Sequence, residues 1–294
     1  MTRMRAWPTA TMLAAELLKV RKRWIPYILL LPVVAVLAFQ TFFTYFVIWR
    51  DERDIGGLHV AVLPWSLPAL LDSTQFLGAI HLGILAASVA GTEHGWGTVR
   101  QALIRGQTRS QYLMTKLLGL AVLGAIGFLL VMGLGILFSA IVTVLEDRPI
   151  TLNLPTGDGP SVADVAIMAL RAAYGMLPYV LLAFTLSVVG RSTTLGLAGV
   201  LVYVMVEAIV LGILGGVGGA AADARAYIIG QNVAALLAAN QVGQVDIFSL
   251  ALRDHPLDPS ELPDPWVAAL VLGGYCLGFL AIAFWVFNRR DIHA

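Results

Sequence analysis

Long apolar runs separated by short polar breaks dominate this chain. Six runs reach the roughly 20 mostly apolar residues that a membrane-spanning helix needs. They cover about 24–49, 69–90, 117–144, 165–190, 194–214 and 266–287. Only Arg191, Ser192 and Thr193 separate the fourth run from the fifth, which predicts a tight helical hairpin. Residues 1–23 are polar enough to lie outside the bilayer core. Within them Met12, Leu13, Leu17 and Val20 recur at helical spacing, while Glu16, Lys19, Lys22 and Arg23 are assigned to the other side. This pattern predicts an amphipathic helix on the membrane surface leading into the first span. The segment 215–264 opens on Gly215-Gly216-Val217-Gly218-Gly219 and then carries an apolar stripe at Tyr227, Ile228, Val233, Leu236 and Leu237. The stripe is short for a span and is interrupted by Gln231, Asn232, Asn240 and Gln241, so it reads as a re-entrant or interfacial helix. His255-Pro256, Asp258-Pro259 and Pro263-Asp264-Pro265 then mark a rigid loop before the last span. No internal repeat or separate soluble domain is visible.

Composition agrees with the pattern. Of 294 residues, 59% are hydrophobic and 13% charged, with a mean hydropathy of +0.82; soluble domains carry roughly 25% charged residues. The fold class is therefore an all-α integral membrane protein. The single cysteine, Cys276, excludes an internal disulfide and reads as a small buried apolar residue. The N-terminus does not read as a cleavable signal. Its basic residues Lys19, Arg21, Lys22 and Arg23 come late, and the apolar run behind them is too long and lacks a small-residue cleavage site.

Charge placement sets an expected orientation. With the N-terminus in the cytoplasm, the inner segments hold six Lys/Arg before residue 24, four in 91–116, then Arg191, Arg289 and Arg290. The outer segments hold Arg50, Arg53, Arg148, Arg225 and Arg253. Only Glu16, Glu93 and Asp291 are acidic inside. Six spans with both termini cytoplasmic satisfy this bias.

Several chemistries have no sequence support. There is no Gly-x-x-x-x-Gly-Lys-Ser/Thr phosphate loop, no His-Glu-x-x-His, no cysteine pair for zinc and no Gly-x-Ser-x-Gly elbow. His59, His81, His94, His255 and His293 are scattered without ligand spacing. No catalytic or metal-ligating residue is assigned, and the chain reads as a translocator, not an enzyme by itself. Two charges fall at membrane depth. Arg171 lies roughly 9 Å inside the outer end of the fourth span, and Glu207 roughly 10 Å inside that of the fifth. A charge near mid-bilayer costs at least ~2.5 kcal/mol, and pairing relieves it. The expectation is that Arg171 pairs with Glu207. The competing readings are that Arg171 snorkels alone, that Glu207 is protonated or lines a wet cavity, and that Glu207 contacts a cationic substrate. Pro178 is expected to kink the fourth span. Gly215/Gly219 and Gly274/Gly278 are spaced for close helix contacts.

The segment joining the second and third spans reads GTEHGWGTVRQALIRGQTRSQYLMTK, from Gly91 to Lys116. Thr98, Gln101, Ala102 and Arg105 fall on one helical face, Gly106 can end that helix, and Thr108 starts another towards the third span. Physically this short basic helix-turn-helix serves equally as an anchor for lipid headgroups or as a docking surface for a cytoplasmic partner.

The pattern Glu93-x-x-x-Gly97-Thr98-x-Arg100-x-x-Leu103-x-x-Gly106-x-x-Arg109-x-x-Tyr112-x-x-x-Lys116 resembles the loop between the second and third spans of ABC transporter type-2 permeases. Glu16-x-x-Lys19 before the first span and Phe287-Asn288-Arg289-Arg290-Asp291-Ile292 after the last are similar to that family's opening and ending. The resemblance implies a pathway formed by two permease copies, identical or related. It also implies two separate ATPase subunits beneath them, which bind the ATP and magnesium that this chain does not. Gly97 to Gly106 would then be the coupling helix, with Glu93, Thr98, Arg100, Leu103, Arg105 and Arg109 positioning it or contacting the ATPase. Glu16 and Lys19 would belong to the elbow helix of residues 1–23, and 215–264 would cap the pathway. The implied setting is the cell membrane, cytoplasmic or inner, with no nucleic-acid partner. Few acidic residues lie in the spans, which favours export of a hydrophobic or amphipathic substrate over a cation. A secondary transporter, and a non-transporting membrane scaffold or immunity protein, are the alternatives.

Overall fold

The structure is a computed structural model that describes residues 10–22, 24–52, 61–95, 98–151, 162–217, 223–240 and 262–289. Among these residues it is helical with no strand. Nine α-helices follow one another: α1 (Ala10–Arg21), α2 (Ile25–Glu52), α3 (Leu67–Gly95), α4 (Thr98–Ile104), α5 (Arg109–Leu145), α6 (Val162–Gly190), α7 (Thr193–Val217), α8 (Ile229–Ala238) and α9 (Pro265–Arg289). Six of them, α2, α3, α5, α6, α7 and α9, are long and apolar enough to cross a membrane. Their positions agree with the six apolar runs, and the chain is a multi-pass membrane protein.

Burial is greatest where hydropathy is lowest. The two least apolar spanning helices, α3 and α6, are the two most buried, at 67% and 61% of their most apolar stretch; α2 and α7 reach only 11%. Lipid explains this inversion. Where no water competes, a polar side chain must find a partner inside the protein, whereas Leu and Phe are as stable against acyl chains as against a neighbouring helix. α3 carries Ser73, Thr74, Gln75, Ser88 and Glu93, all buried. Gln75 donates from Nε2 to the Gly175 carbonyl of α6 at 3.3 Å. α6 in turn bonds α9, where Tyr174 and Thr185 hydroxyls donate to the carbonyls of Ala269 and Phe279 at 2.9 and 3.0 Å. α2, α7 and α9 turn large apolar side chains outward, among them Leu31, Phe39, Met205, Ile209, Leu270 and Leu277.

α6 and α7 form the expected hairpin, turning at Arg191 with φ 53. Gly196 of α7 sits against the Ala183 carbonyl and Ser187 of α6, so a Cβ there has no room. Gly196→Val is expected to force the hairpin apart at about 1–3 kcal/mol, read as a lower thermal midpoint in detergent. The glycine pair expected at Gly274 and Gly278 makes no such contact, because open space faces both. The surroundings of Gly215 and Gly219 lie outside the described residues, as do His255-Pro256 and Asp258-Pro259. α6 continues as a helix through Pro178.

α1 packs against α5 with a face that differs from the expected one. Glu16 is buried together with Val20, beside half-buried Met12, Leu13 and Leu17. It belongs to the packed face and not to the solvent side. Gly119 of α5 makes room for its side chain. α5 has 37 residues, about 55 Å at 1.5 Å per residue, and so exceeds a hydrocarbon core of about 30 Å. Its first turns are therefore the start of the spanning helix itself, not a separate one.

Candidate functional site

The pattern residues meet at the end of the bundle where α1, α4, the end of α3, the start of α5 and the end of α9 converge. α4 is a two-turn helix. Gly106, at φ +90, closes it: the Gly106 amide donates to the Leu103 carbonyl and the Gln107 amide to the Ala102 carbonyl, a left-handed cap that glycine adopts without strain. Two residues on, Thr108 caps α5. Its side chain accepts from the Gln111 amide while the Gln111 side chain accepts from the Thr108 amide. α4 is anchored by buried Val99 and half-buried Leu103, and Thr98 donates to the Glu93 carbonyl at 3.3 Å. Arg100, Gln101, Ile104 and Arg105 face outward, Ile104 at 75% exposure. Gly97 lies outside the described residues.

Beneath α4 lies a buried ion network. The Lys116 ammonium is 2.6 Å from Glu16 Oε1 and 2.6 Å from Glu93 Oε1, and all three side chains are at most 7% exposed. Tyr112 donates its hydroxyl to Glu93 Oε2 at 2.7 Å. Lys19 closes the ring from the surface, 3.4 Å from Glu16 and 3.2 Å from Glu93, and its side chain is 53% exposed. Two carboxylates face two ammoniums, so the cluster is neutral. It ties α1, α3 and α5 at one point, directly before α4. Tyr112 also stacks on Phe287 of α9, and Arg109 donates to the carbonyls of Phe287 and Asn288 at 3.3 and 2.8 Å. A cation at these last carbonyls complements the end of α9. Glu93 and Arg109 thus act here as positioning residues, while Arg100 and Arg105 are presented outward.

Burial alone would lower the Lys19 ammonium, but the Glu16 and Glu93 carboxylates outweigh it and hold its pKa above the ordinary value of 10.5. A lysine raised in the folded state contributes stability that is full below its unfolded pKa and lost as pH rises through the folded one. That contribution is therefore flat across neutral pH. Lys19→Ala is expected to cost less than about 1 kcal/mol in thermal melts, because solvent screens a half-exposed pair.

The structure does not bring Arg171 and Glu207 together. They hold opposite ends of α8, which lies between them. Glu207 accepts from the Gly230 amide at 2.7 Å, in the first turn of α8, and from the hydroxyls of Tyr179 and Tyr203 at 2.9 and 3.1 Å. Arg171 donates to the Ala239 carbonyl at 2.7 Å and to Asn240 Oδ1 at 3.1 Å, at the other end of α8. An anion at the N-terminus and a cation at the C-terminus both oppose the helix dipole. Each charge is satisfied by the short helix and not by the other.

Sequence reasoning left Lys116 and Tyr112 out of the site residues, although both stand in the loop pattern. The available signal was a lysine one turn after a tyrosine at the mouth of an apolar run. Tyr203, one turn before Glu207, was a similar sign. Among the described residues no group of His, Cys, Asp and Glu could hold a metal ion.

The family match takes in Glu93, Lys116, Arg171, Glu207 and Phe287, and leaves out α1 and α2. No curated protein matches the chain. A family model described as a protein of unknown function, DUF2705, matches residues 75–293, most of the chain, and the protein belongs to that family.

Proposed function

We propose that this chain is the membrane-spanning permease subunit of an ABC-type exporter, moving a hydrophobic or amphipathic substrate with ATP hydrolysed on a separate ATPase. One observation carries the reading. The short helix α4 presents Arg100, Gln101, Ile104 and Arg105 outward, and Thr98 at its start bonds the carbonyl of Glu93, whose side chain belongs to a buried ion network joining α1, α3 and α5. A partner docked on such a helix would pull on spanning helices rather than on a loose loop. In this reading the α4 end and both termini lie in the cytoplasm, where the Lys/Arg excess falls, and α1 lies along the membrane surface. α8 is then the re-entrant helix on the outer side. Two ATPase subunits and a second permease copy, identical or related, complete the assembly in the cell membrane.

The test is co-expression of the tagged chain with the ATPase encoded beside it, followed by co-purification and ATP hydrolysis in nanodiscs. Arg100→Glu and Arg105→Glu are expected to lower capture of the ATPase at least about tenfold, as expected when one charged contact is lost and reversed. They should leave the thermal midpoint unchanged, since both side chains are exposed. A folded parent that captures no ATPase would sink the proposal and favour a secondary transporter or a non-transporting scaffold.

A further inference from the structure

The end of the bundle that carries α4 exposes two tryptophans, each with cations beside it. Trp24 stands at the junction of α1 and α2, directly before the apolar stretch of α2, and is 79% exposed. Trp285, in the last turns of α9, is 58% exposed. α9 also exposes Trp266 in its first turn. Trp266 and Trp285 stand nineteen residues apart, about 29 Å at 1.5 Å per residue, which matches a hydrocarbon core of about 30 Å. Exposed tryptophans at that spacing mark the two boundaries between acyl chains and headgroups. Arg289 lies one turn beyond Trp285, its guanidinium 5.0 Å from the ring centroid, and so stands at headgroup depth. The α1–α2 corner repeats the arrangement. Arg21 and Lys22 are exposed just before Trp24. Tyr27 donates its hydroxyl to the Arg21 carbonyl at 3.2 Å, which holds the end of α1 over the first turn of α2. Towards the bilayer, Tyr27, Ile28 and Leu31 are all more than half exposed. Charge at this corner is one-sided. Glu16 is the only acidic residue between positions 10 and 28, and it is buried against Lys116. α1 therefore offers no carboxylate to Arg21 or Lys22.

We propose that the corner where α1 meets α2 binds the headgroup of an anionic phospholipid, its phosphate met by Arg21 and Lys22 and its acyl chains lying along Trp24, Ile28 and Leu31. The site stands on the corner alone and does not depend on the export reading. Cations beside the mouth of a span attract anionic lipids, and neutral lipids far less, because choline cancels the charge of its own phosphate. The experiment uses the full chain in phosphatidylcholine nanodiscs. A trace of phosphatidylglycerol with a photoreactive group near its glycerol is compared with phosphatidylcholine carrying the same group and chains, and the labelled peptides are mapped. Phosphatidylglycerol is expected to label the stretch 18–31 at least about tenfold more than its counterpart, since two cations act together. Arg21→Gln and Lys22→Gln should each cut that labelling about fivefold, the ratio for one cation at an anionic surface, and the double variant should fall to the phosphatidylcholine level. Both side chains are exposed, so the variants should melt with the parent; if the double variant does not fold, Lys22→Gln carries the comparison. Arg100→Gln with Arg105→Gln, on α4, should leave the labelling of 18–31 unchanged. Equal labelling by the two lipids, labelling that survives the loss of Arg21 and Lys22, or loss that follows the α4 arginines instead would overturn the proposal.

Discussion

Lys116→Met is expected to lower the stability of the purified protein by about 3–5 kcal/mol, seen as a large fall in its thermal midpoint or as loss of monodisperse protein in detergent. The size follows from what remains. Glu16 and Glu93 each lie 2.6 Å from the Lys116 ammonium and are themselves buried. Without Lys116, two carboxylates sit together with only half-exposed Lys19 to balance them, and breaking a buried pair on one side is far more costly than its net gain suggests. The same argument predicts rescue. Glu16→Gln and Glu93→Gln, added to Lys116→Met, remove the stranded charges and keep the volumes, so the triple variant should recover a large part of the loss. A single variant that melts with the parent would show that the network does not hold α1 on α5. So would a triple variant no better than the single one.

Glu207→Ala is expected to cost at least about 3 kcal/mol and to release α8. The substitution strands the Gly230 amide and two tyrosine hydroxyls in a low-dielectric setting, at about 1–3 kcal/mol for each group left unpaired. It also removes the anion from the positive end of the helix, worth up to about 1 kcal/mol. Glu207→Gln retains an acceptor and should cost about 1 kcal/mol. Hydrogen exchange separates this from general loosening: amides in 229–238 should exchange faster in Glu207→Ala, while those of α3 stay protected. Arg171→Ala should raise exchange in the same helix from its other end. Faster exchange throughout the bundle, or none in α8, would count against the two-ended clamp.

These two positions show where one-dimensional reasoning stops. Arg171 and Glu207 fall at like depths on helices joined by a tight hairpin, so pairing them relieves both charges on paper. The alternative partner, α8, was recognised as a short helix in the outer segment, but its insertion between the two residues is not written in spacing or hydropathy. Glu16 carries the same lesson. A helical wheel sends a glutamate to water unless a buried lysine awaits it, and Lys116 is a hundred positions away. Only folding places it there.

The six apolar helices, the hairpin at Arg191, the stop at Gly106 and the restart at Thr108 are legible from residue order. Each depends on local terms: transfer of consecutive side chains into hydrocarbon, a backbone angle that glycine tolerates, a cap that reaches three residues along. Which helices lie inside, which face of α1 is covered, and what satisfies each buried charge emerge only from the packed helices. Those outcomes depend on long-range partners brought within hydrogen-bond distance, and in a low-dielectric interior a few ångströms separate a satisfied charge from one too costly to bury.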